Sequence, residues 1–205
     1  MLLTSSLVRE AKADPKEKLV GLGVGMCSPG FDSQSRTAPA LFSWGLQLFG
    51  RYGPDWGRWS WNLTVGASLS WATYSAVSRD YVHTRDSEST LGDLFFSGAL
   101  YHPELLVAYK LLSGWDIAPY AELGLGYLWA TYSDASLHDT DTGNELDASV
   151  DDFGDGGLTA SLAFRIDWRV TRSLRIGAGL KYTRTAAALL KRTISVPITV
   201  TFFWW

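Results

Sequence analysis

Apolar and polar residues alternate along most of this chain. The most regular run places one set of side chains, Trp59, Trp61, Leu63, Val65, Ala67, Leu69 and Trp71, between the members of another, Ser60, Asn62, Thr64, Gly66, Ser68 and Ser70. Because successive side chains of a strand point to opposite faces, one face of this run is apolar and the other is small and polar. So long a match to a period of two predicts a β-strand.

The same alternation recurs in seven further runs, so eight strands are predicted. Their apolar positions fall within residues 19–26, 42–48, 101–111, 117–129, 158–168, 174–182 and 194–204. The connections alternate between longer polar segments, such as 78–90 and the acidic stretch 133–157, and short turns, such as 113–116 and 171–173. This rhythm predicts an all-β fold, an eight-stranded antiparallel up-and-down transmembrane β-barrel with short periplasmic turns and longer extracellular loops.

The stretch 193–205 carries the strongest signal for a lipid-facing strand. One parity holds Ile194, Val196, Ile198, Val200, Phe202 and Trp204, whereas the other begins with Ser195, Pro197, Thr199 and Thr201. Aromatic rings settle at the membrane interface, so an apolar face that ends in aromatic residues suits a strand that contacts lipid.

This stretch resembles the closing strand of Gram-negative outer-membrane β-barrels, whose terminal aromatic residue is part of the signal read by the insertion machinery. Trp204 lies on the apolar parity and Trp205 on the other. Over residues 18–205 the architecture resembles the small eight-stranded group that includes outer membrane proteins A, X and W and the lipid A-modifying barrels. The resemblance implies a bacterial outer-membrane protein with both termini periplasmic, whose partners are outer-membrane lipid, lipopolysaccharide and the insertion machinery.

Residues 1–17 are interpreted as an N-terminal periplasmic arm or signal remnant, and residues 18–205 as the barrel. The small-x-small triplet at 11–13 is typical of a cleavage site, but the apolar segment 2–8 is short and interrupted. A signal remnant, a tag and a native arm therefore all remain open.

Composition excludes several classes of protein. Hydrophobic residues make up 46% of the chain, and no run approaches the roughly 20 apolar residues that a spanning helix needs. A net charge of −3 gives no electrostatic basis for nucleic-acid binding. The single cysteine, Cys27, excludes an internal disulfide and a cysteine cluster for metal. We predict no cofactor and no metal.

Topology gathers the outward aromatic residues into two belts, as membrane barrels require. The membrane-anchoring set comprises Trp44, Trp59, Trp61, Trp71, Tyr101, Tyr109, Trp129, Trp168, Tyr182, Phe202 and Trp204. Residues 59, 61, 109, 168, 202 and 204 are predicted at the periplasmic rim, and the others at the outer rim.

Charged residues on the opposite parity are predicted to face the lumen. They are Glu104, Lys110, Glu122, Arg165, Asp167, Arg169, Arg175 and Lys181. We expect Glu122 near Asp167 and Arg169. The lumen of an eight-stranded barrel is just wide enough for side chains to fill it. Burying an unpaired charge there costs roughly several kcal/mol of folding free energy. A salt-bridged plug is therefore predicted, and its cation excess would favour anions if a path were open.

We predict a mainly structural, surface-displaying outer-membrane barrel that is not an enzyme. The first alternative is a small-solute pore, anion-favouring or for hydrophobic solutes. The second is a lipid A-modifying hydrolase, for which His102 and Glu104, with Ser68 or Ser70 on the neighbouring strand, are the enzyme-like residues. The acidic segment only partly matches a calcium loop, and a soluble ligand-binding barrel is the alternative fold.

Overall fold

The chain forms a β-barrel in the computed structural model, which describes residues 18–31, 45–54, 63–85, 88–111, 116–139, 144–146 and 153–204. Its strands are β1 (Lys18–Phe31), β2 (Gly45–Pro54), β3 (Leu63–Arg85), β4 (Glu88–Lys110), β5 (Ile117–Asp139), β6 (Glu145–Leu146), β7 (Phe153–Arg169), β8 (Leu174–Thr185) and β9 (Leu190–Trp204). Eight of these strands form the barrel wall, and β6 pairs only with β5.

The barrel closes because β1 pairs with both β2 and β9. The β1–β9 register runs from Lys18 opposite Trp204 to Phe31 opposite Leu190. All neighbouring strands are antiparallel, in the ring order β1-β2-β3-β4-β5-β7-β8-β9. The predicted eight-stranded antiparallel barrel is confirmed. We call the end with Lys18 and Trp204 the terminal end and the opposite end the loop end.

Strands reach further toward the loop end than the sequence pattern indicated. The stretch 78–90, expected as a loop, belongs to β3 and β4 except for its undescribed residues 86–87. Residues 133–139 and 153–157 of the expected acidic loop extend β5 and β7, and β9 starts at Leu190, before the predicted apolar run that begins at Ile194. These polar segments stay in strands because their backbone groups pair across β3, β4 and β5, regardless of side-chain polarity.

The barrel wall is apolar outside and polar inside over its terminal half. Leu105 is 70% exposed whereas the next residue, Leu106, is 6% exposed, although the two side chains are identical. Exposed apolar side chains continue around the wall, for example Leu22 on β1, Leu125 on β5, Leu162 on β7 and Ile198 on β9. A folded chain exposes so extensive an apolar surface only where another apolar phase covers it.

Outward aromatic residues lie in two zones on this surface. Trp71, Tyr101 and Trp129 pair directly across β3, β4 and β5 and form a row toward the loop end. Tyr182 also faces outward, and Tyr109, Trp168 and Phe202 are exposed nearer the terminal end. From Tyr101 to Tyr109 the strand covers roughly 26 Å, or about 20 Å in height at the usual tilt, close to the ~25 Å apolar band of outer-membrane barrels.

Some sequence-based predictions fall outside the described part of the chain. Trp44, Trp59, Trp61 and the arm 1–17 are among these residues. The backbone of Trp204 pairs with Lys18 at the terminal end, and its side chain is not described. Within the described ranges, no helix has the length and apolar character needed to cross a membrane.

Candidate functional site

Glu104 is the centre of a polar network inside the barrel. Its carboxylate accepts hydrogen bonds from Ser68 Oγ on β3, at 3.1 Å, and from Ser161 on β7. Lys181 on β8 approaches it across the lumen, with 2.5 Å between Nζ and Oε2. The Glu104 side chain is only 2% exposed, so these donors replace the water that it loses on burial.

Arg165 is the centre of a second ion-pair group nearer the terminal end. Its Nε lies 3.0 Å from Glu122 Oε1, and its NH1 lies 3.2 Å from Asp167 Oδ2. The guanidinium also lies over the Tyr120 ring, 4.8 Å from the centroid, and the Tyr120 hydroxyl accepts a hydrogen bond from Arg175 at 2.9 Å. The Arg165 guanidinium thus contacts two carboxylates and an aromatic ring at the same level of the barrel.

The register differs from the expected one for Glu122. It lies opposite Ala163, two residues from Arg165 on β7, so it reaches Arg165. Arg169 instead donates to the carbonyl oxygens of Thr171 and Arg172 in the β7–β8 turn. The expectation that Glu122 and Arg169 lie together is therefore wrong, because Arg169 is at the end of its strand.

Lys110 lies at the terminal end of β4. Its backbone pairs with Tyr120, and its side chain is half-buried.

Two inward glycines make room for buried carboxylates. A Cβ on Gly124 would overlap the Glu104 carboxylate and the Ser161 hydroxyl, and a Cβ on Gly177 would overlap the Asp167 carboxylate. Both glycines lie in strands beside the acidic residue that they accommodate. The lumen is therefore shaped by small residues around its charges, as a narrow barrel requires.

His102 is buried but is not arranged with a serine and a carboxylate as a hydrolase triad. Its Nε2 lies 2.8 Å from Thr159 Oγ1, while the Ser70 hydroxyl donates to the backbone oxygen of His102 at 3.4 Å. Ser70, on the neighbouring strand as expected, pairs directly with His102. The Glu104 oxygens accept from Ser68, Ser161 and Lys181, so an expected serine contacts the expected carboxylate, while His102 Nε2 contacts Thr159.

A cluster of aromatic residues fills the lumen toward the loop end. Phe31, Tyr74, Phe96 and Tyr132 come from β1, β3, β4 and β5, and their ring centroids are 5.7–6.5 Å apart. We call these four residues the aromatic cluster. Buried leucines surround it, namely Leu94, Leu100, Leu128, Leu137 and Leu190.

The alternating pattern does not reveal the aromatic cluster, because Phe31, Tyr74, Phe96 and Tyr132 all lie outside the predicted strands. Parity could have found Tyr74, since it continues the inward series Ser68, Ser70 and Ala72.

Two small cavities lie among the polar residues. The larger, of about 60 Å³, is lined by Glu104, Arg165, Lys181 and several hydroxyl side chains. The smaller, of about 20 Å³, is lined by Cys27, His102 and Lys181 on the side toward the aromatic cluster. Among the described residues, no group of three or more His, Cys, Asp and Glu side chains could hold a metal ion.

These features define the class of protein: a small eight-stranded β-barrel of the outer-membrane type. Among solved structures, a major outer membrane protein from Thermus thermophilus is similar, with a TM-score of 0.57 and 11% identity, over 91% of this chain and 99% of that one. Neisserial surface protein A has a TM-score of 0.51 at 13% identity, over 92% and 97%. Ail, the attachment invasion locus protein of Yersinia pestis, has a TM-score of 0.50 at 11% identity, over 93% and 100%.

At these identities the likeness establishes the fold alone. No family model and no curated protein matches the chain.

Proposed function

We propose that this chain is an integral protein of the bacterial outer membrane with a mainly structural, surface-displaying role and a lumen plugged by charges. The observation that carries the proposal is the outward apolar surface, bounded by aromatic residues on both sides, around a barrel whose ion pairs are inside. A soluble ligand-binding barrel has the reverse arrangement, with apolar residues toward the cavity. The fold shared with outer-membrane proteins supports the same location.

The proposed partners follow from this surface. Outer-membrane lipid covers the apolar band, and lipopolysaccharide contacts the outer aromatic zone. The C-terminal strand β9 is the segment that the insertion machinery recognises, since its outward side chains Ile194, Val196, Ile198 and Phe202 are apolar and exposed. Both termini are periplasmic, and the long strands β3, β4 and β5 extend outward from the cell.

A structural role is favoured over a pore by the side chains that occupy the lumen. Glu104 and Lys181 form one ion pair across it, and Arg165 with its two carboxylates narrows it nearer the terminal end. A hydrolase is disfavoured because His102 Nε2 contacts a threonine and Glu104 is bound elsewhere.

Surface display can be tested on intact cells. An epitope tag placed between residues 140 and 152 should bind antibody without permeabilisation, whereas a tag before residue 18 should bind only after the outer membrane is permeabilised. The protein should also fractionate with the outer membrane and resist extraction by alkaline carbonate. Recovery in the soluble fraction would contradict the membrane location, and the reverse pattern of tag exposure would contradict the orientation.

A further inference from the structure

The interior of the barrel has two layers with different physical chemistry. The layer toward the terminal end contains the ion pairs of Glu104 and Arg165, and the two cavities described above lie among its polar side chains. The layer toward the loop end consists of the aromatic cluster and its surrounding leucines. An ion that crosses the barrel must pass both layers in series.

The ion-pair layer is compatible with water. A cavity of about 60 Å³ has space for a few water molecules, since one water needs at least about 10–15 Å³. Thr199 Oγ1 lines this cavity, is buried, and has no hydrogen-bond partner among the described residues. Hydroxyl and charged side chains line part of the cavity, together with apolar residues such as Leu106 and Ala163, and ordered water can satisfy the polar groups.

The aromatic layer offers little polar surface to water, since only Tyr74 and Tyr132 among its four rings carry a hydroxyl, and Tyr74 donates to the Thr131 backbone oxygen at 3.1 Å. Tyr74 and Tyr132 are each 2% exposed, and Leu128, Leu137 and Leu190 are fully buried. Along β4 this apolar layer extends from Leu94 to Leu100, roughly 20 Å of strand. Hydrophobic constrictions close pores by dewetting, because an ion that enters them loses its hydration and gains no polar partner.

We infer that the aromatic cluster is the tighter barrier to ions in this barrel, in series with a weaker, hydrated plug formed by the ion pairs. The polar layer is a hydrated chamber that ends at Phe96 and Tyr132, so the barrel is a latent pore closed by a hydrophobic seal. Cys27 marks the boundary, since it lines the smaller cavity and also packs in the apolar layer. The inference rests on the proposed location of the barrel in a membrane and assigns the closure of its lumen to particular residues.

The test compares conductance in planar lipid bilayers. The double variant Phe96→Ala, Tyr132→Ala should change the protein from electrically silent to one with resolved single-channel steps. The matched control Tyr101→Ala, Trp129→Ala removes outward aromatic residues from the same two strands and should remain silent. The ion-pair variant Glu104→Gln, Lys181→Gln should also remain silent because the aromatic cluster is intact.

A second comparison tests the assignment of the chamber. Adding Lys181→Gln to the double alanine variant should shift its ion selectivity toward cations, because Lys181 lines both cavities. The heat-dependent shift in electrophoretic mobility that is characteristic of folded barrels serves as the folding control. If the alanine variant does not fold, Phe96→Thr, Tyr132→Thr takes its place, because threonine suits a strand and makes the seal polar.

The outcomes separate this inference from the proposed function. Wild-type protein that fails to insert into vesicles contradicts the membrane location. Folded, inserted aromatic variants that stay silent overturn the seal, and so does an ion-pair variant that conducts with the aromatic cluster intact.

Discussion

Side-chain size, as much as charge, determines which residues can line this lumen. Glu104 is buried because Gly124 leaves the space that its carboxylate occupies. The limited volume of a narrow barrel means that each large inward side chain needs a small neighbour on the adjacent strand. A glycine in a strand has an entropic cost, which is offset here by the room it gives to an ion pair.

Replacing Gly124 by alanine tests this argument. The added methyl group would overlap the Glu104 carboxylate and Ser161, both held in the buried network. We expect Gly124→Ala to lower the free energy of unfolding by about 1–3 kcal/mol, measured by urea titration in lipid vesicles. Gly154→Ala is the matched control, since among the described residues its Cβ would meet only Ala130 O, at an ordinary 3.6 Å. Equal effects of the two substitutions would contradict the steric argument.

Leu125 tests the lipid-facing side of the wall. It is 69% exposed and lies between the two aromatic zones, so an arginine there must enter the apolar part of the bilayer. Leu125→Arg should destabilise the folded barrel by about 2–4 kcal/mol in vesicles. Thr131→Arg, also outward but beyond Trp129 on the same strand, should cost much less. The free energies of folding into vesicles at the two sites should therefore differ, and similar values would show that residue 125 does not face lipid.

At the scale of elements, one carboxylate from β7, that of Asp155, accepts several backbone hydrogen bonds from the β8–β9 turn. Asp155 Oδ1 accepts hydrogen bonds from Gly156 N at 2.9 Å and Ala188 N at 3.0 Å. Its Oδ2 accepts from Leu189 N at 2.8 Å and Leu190 N at 3.1 Å. The backbone amides of the turn therefore converge on the Asp155 carboxylate of β7. This arrangement places Leu190 against the apolar layer.

Changing Asp155 should loosen this turn selectively. The amides of Ala188, Leu189 and Leu190 should exchange hydrogen fastest in Asp155→Ala, more slowly in Asp155→Asn, which keeps one acceptor oxygen, and slowest in the wild type. Hydrogen exchange followed by mass spectrometry checks the order. Amides of the β7–β8 turn, at residues 171–173, provide the internal control and should not change. Unchanged exchange at 188–190 would show that other contacts hold the turn.

The sequence predicted the strands inside the apolar band and failed beyond it. Leu158, Leu162 and Trp168 alternate with small or polar residues, since one face meets lipid and the other a crowded lumen. Residues 78–85 lack this contrast, and their strand is held by pairing with β4, which is a tertiary effect. The ion-pair partner of Glu122 was wrongly predicted for a related reason. Alternation along a strand shows which face a side chain lies on, but the register between neighbouring strands decides which residue it contacts.

At the scale of the whole molecule, apolar side chains face outward and polar ones inward over the terminal half, the reverse of a soluble protein. Toward the loop end, the described interior is apolar, as in a soluble protein. Leu105 contacts the surroundings and Leu106 the interior, while the loop end has an apolar core of aromatic residues and leucines. The barrel therefore combines a membrane anchor with a small core like that of a soluble domain. The apolar core at the loop end explains how strands can continue past the row formed by Trp71, Tyr101 and Trp129.

Spin labels at Leu105 and Leu106 test this inverted arrangement. With Cys27→Ser as background, oxygen dissolved in lipid should strongly accelerate the spin relaxation of a nitroxide attached at residue 105. It should accelerate that of a nitroxide at residue 106 only weakly. The physical reason is that only the first side chain faces the bilayer, where oxygen concentrates. Labels at Ala163, buried, and Leu162, exposed, repeat the comparison on β7. Equal oxygen accessibility within both pairs would contradict the register of the barrel.

The pairing of β1 with β9 has a consequence for how the chain reaches its native state. The seam joins residues 18–31 to residues 190–204, so the contact that closes the wall has nearly the greatest sequence separation available. A nascent chain that lacks β9 exposes two unsatisfied edges, on β1 and β8, which invite aggregation. High contact order makes closure a late and slow event. Before the wall closes, the polypeptide is therefore open to edge-to-edge pairing with other chains, and a proteolytic cut within β9 would leave the wall open between β1 and β8.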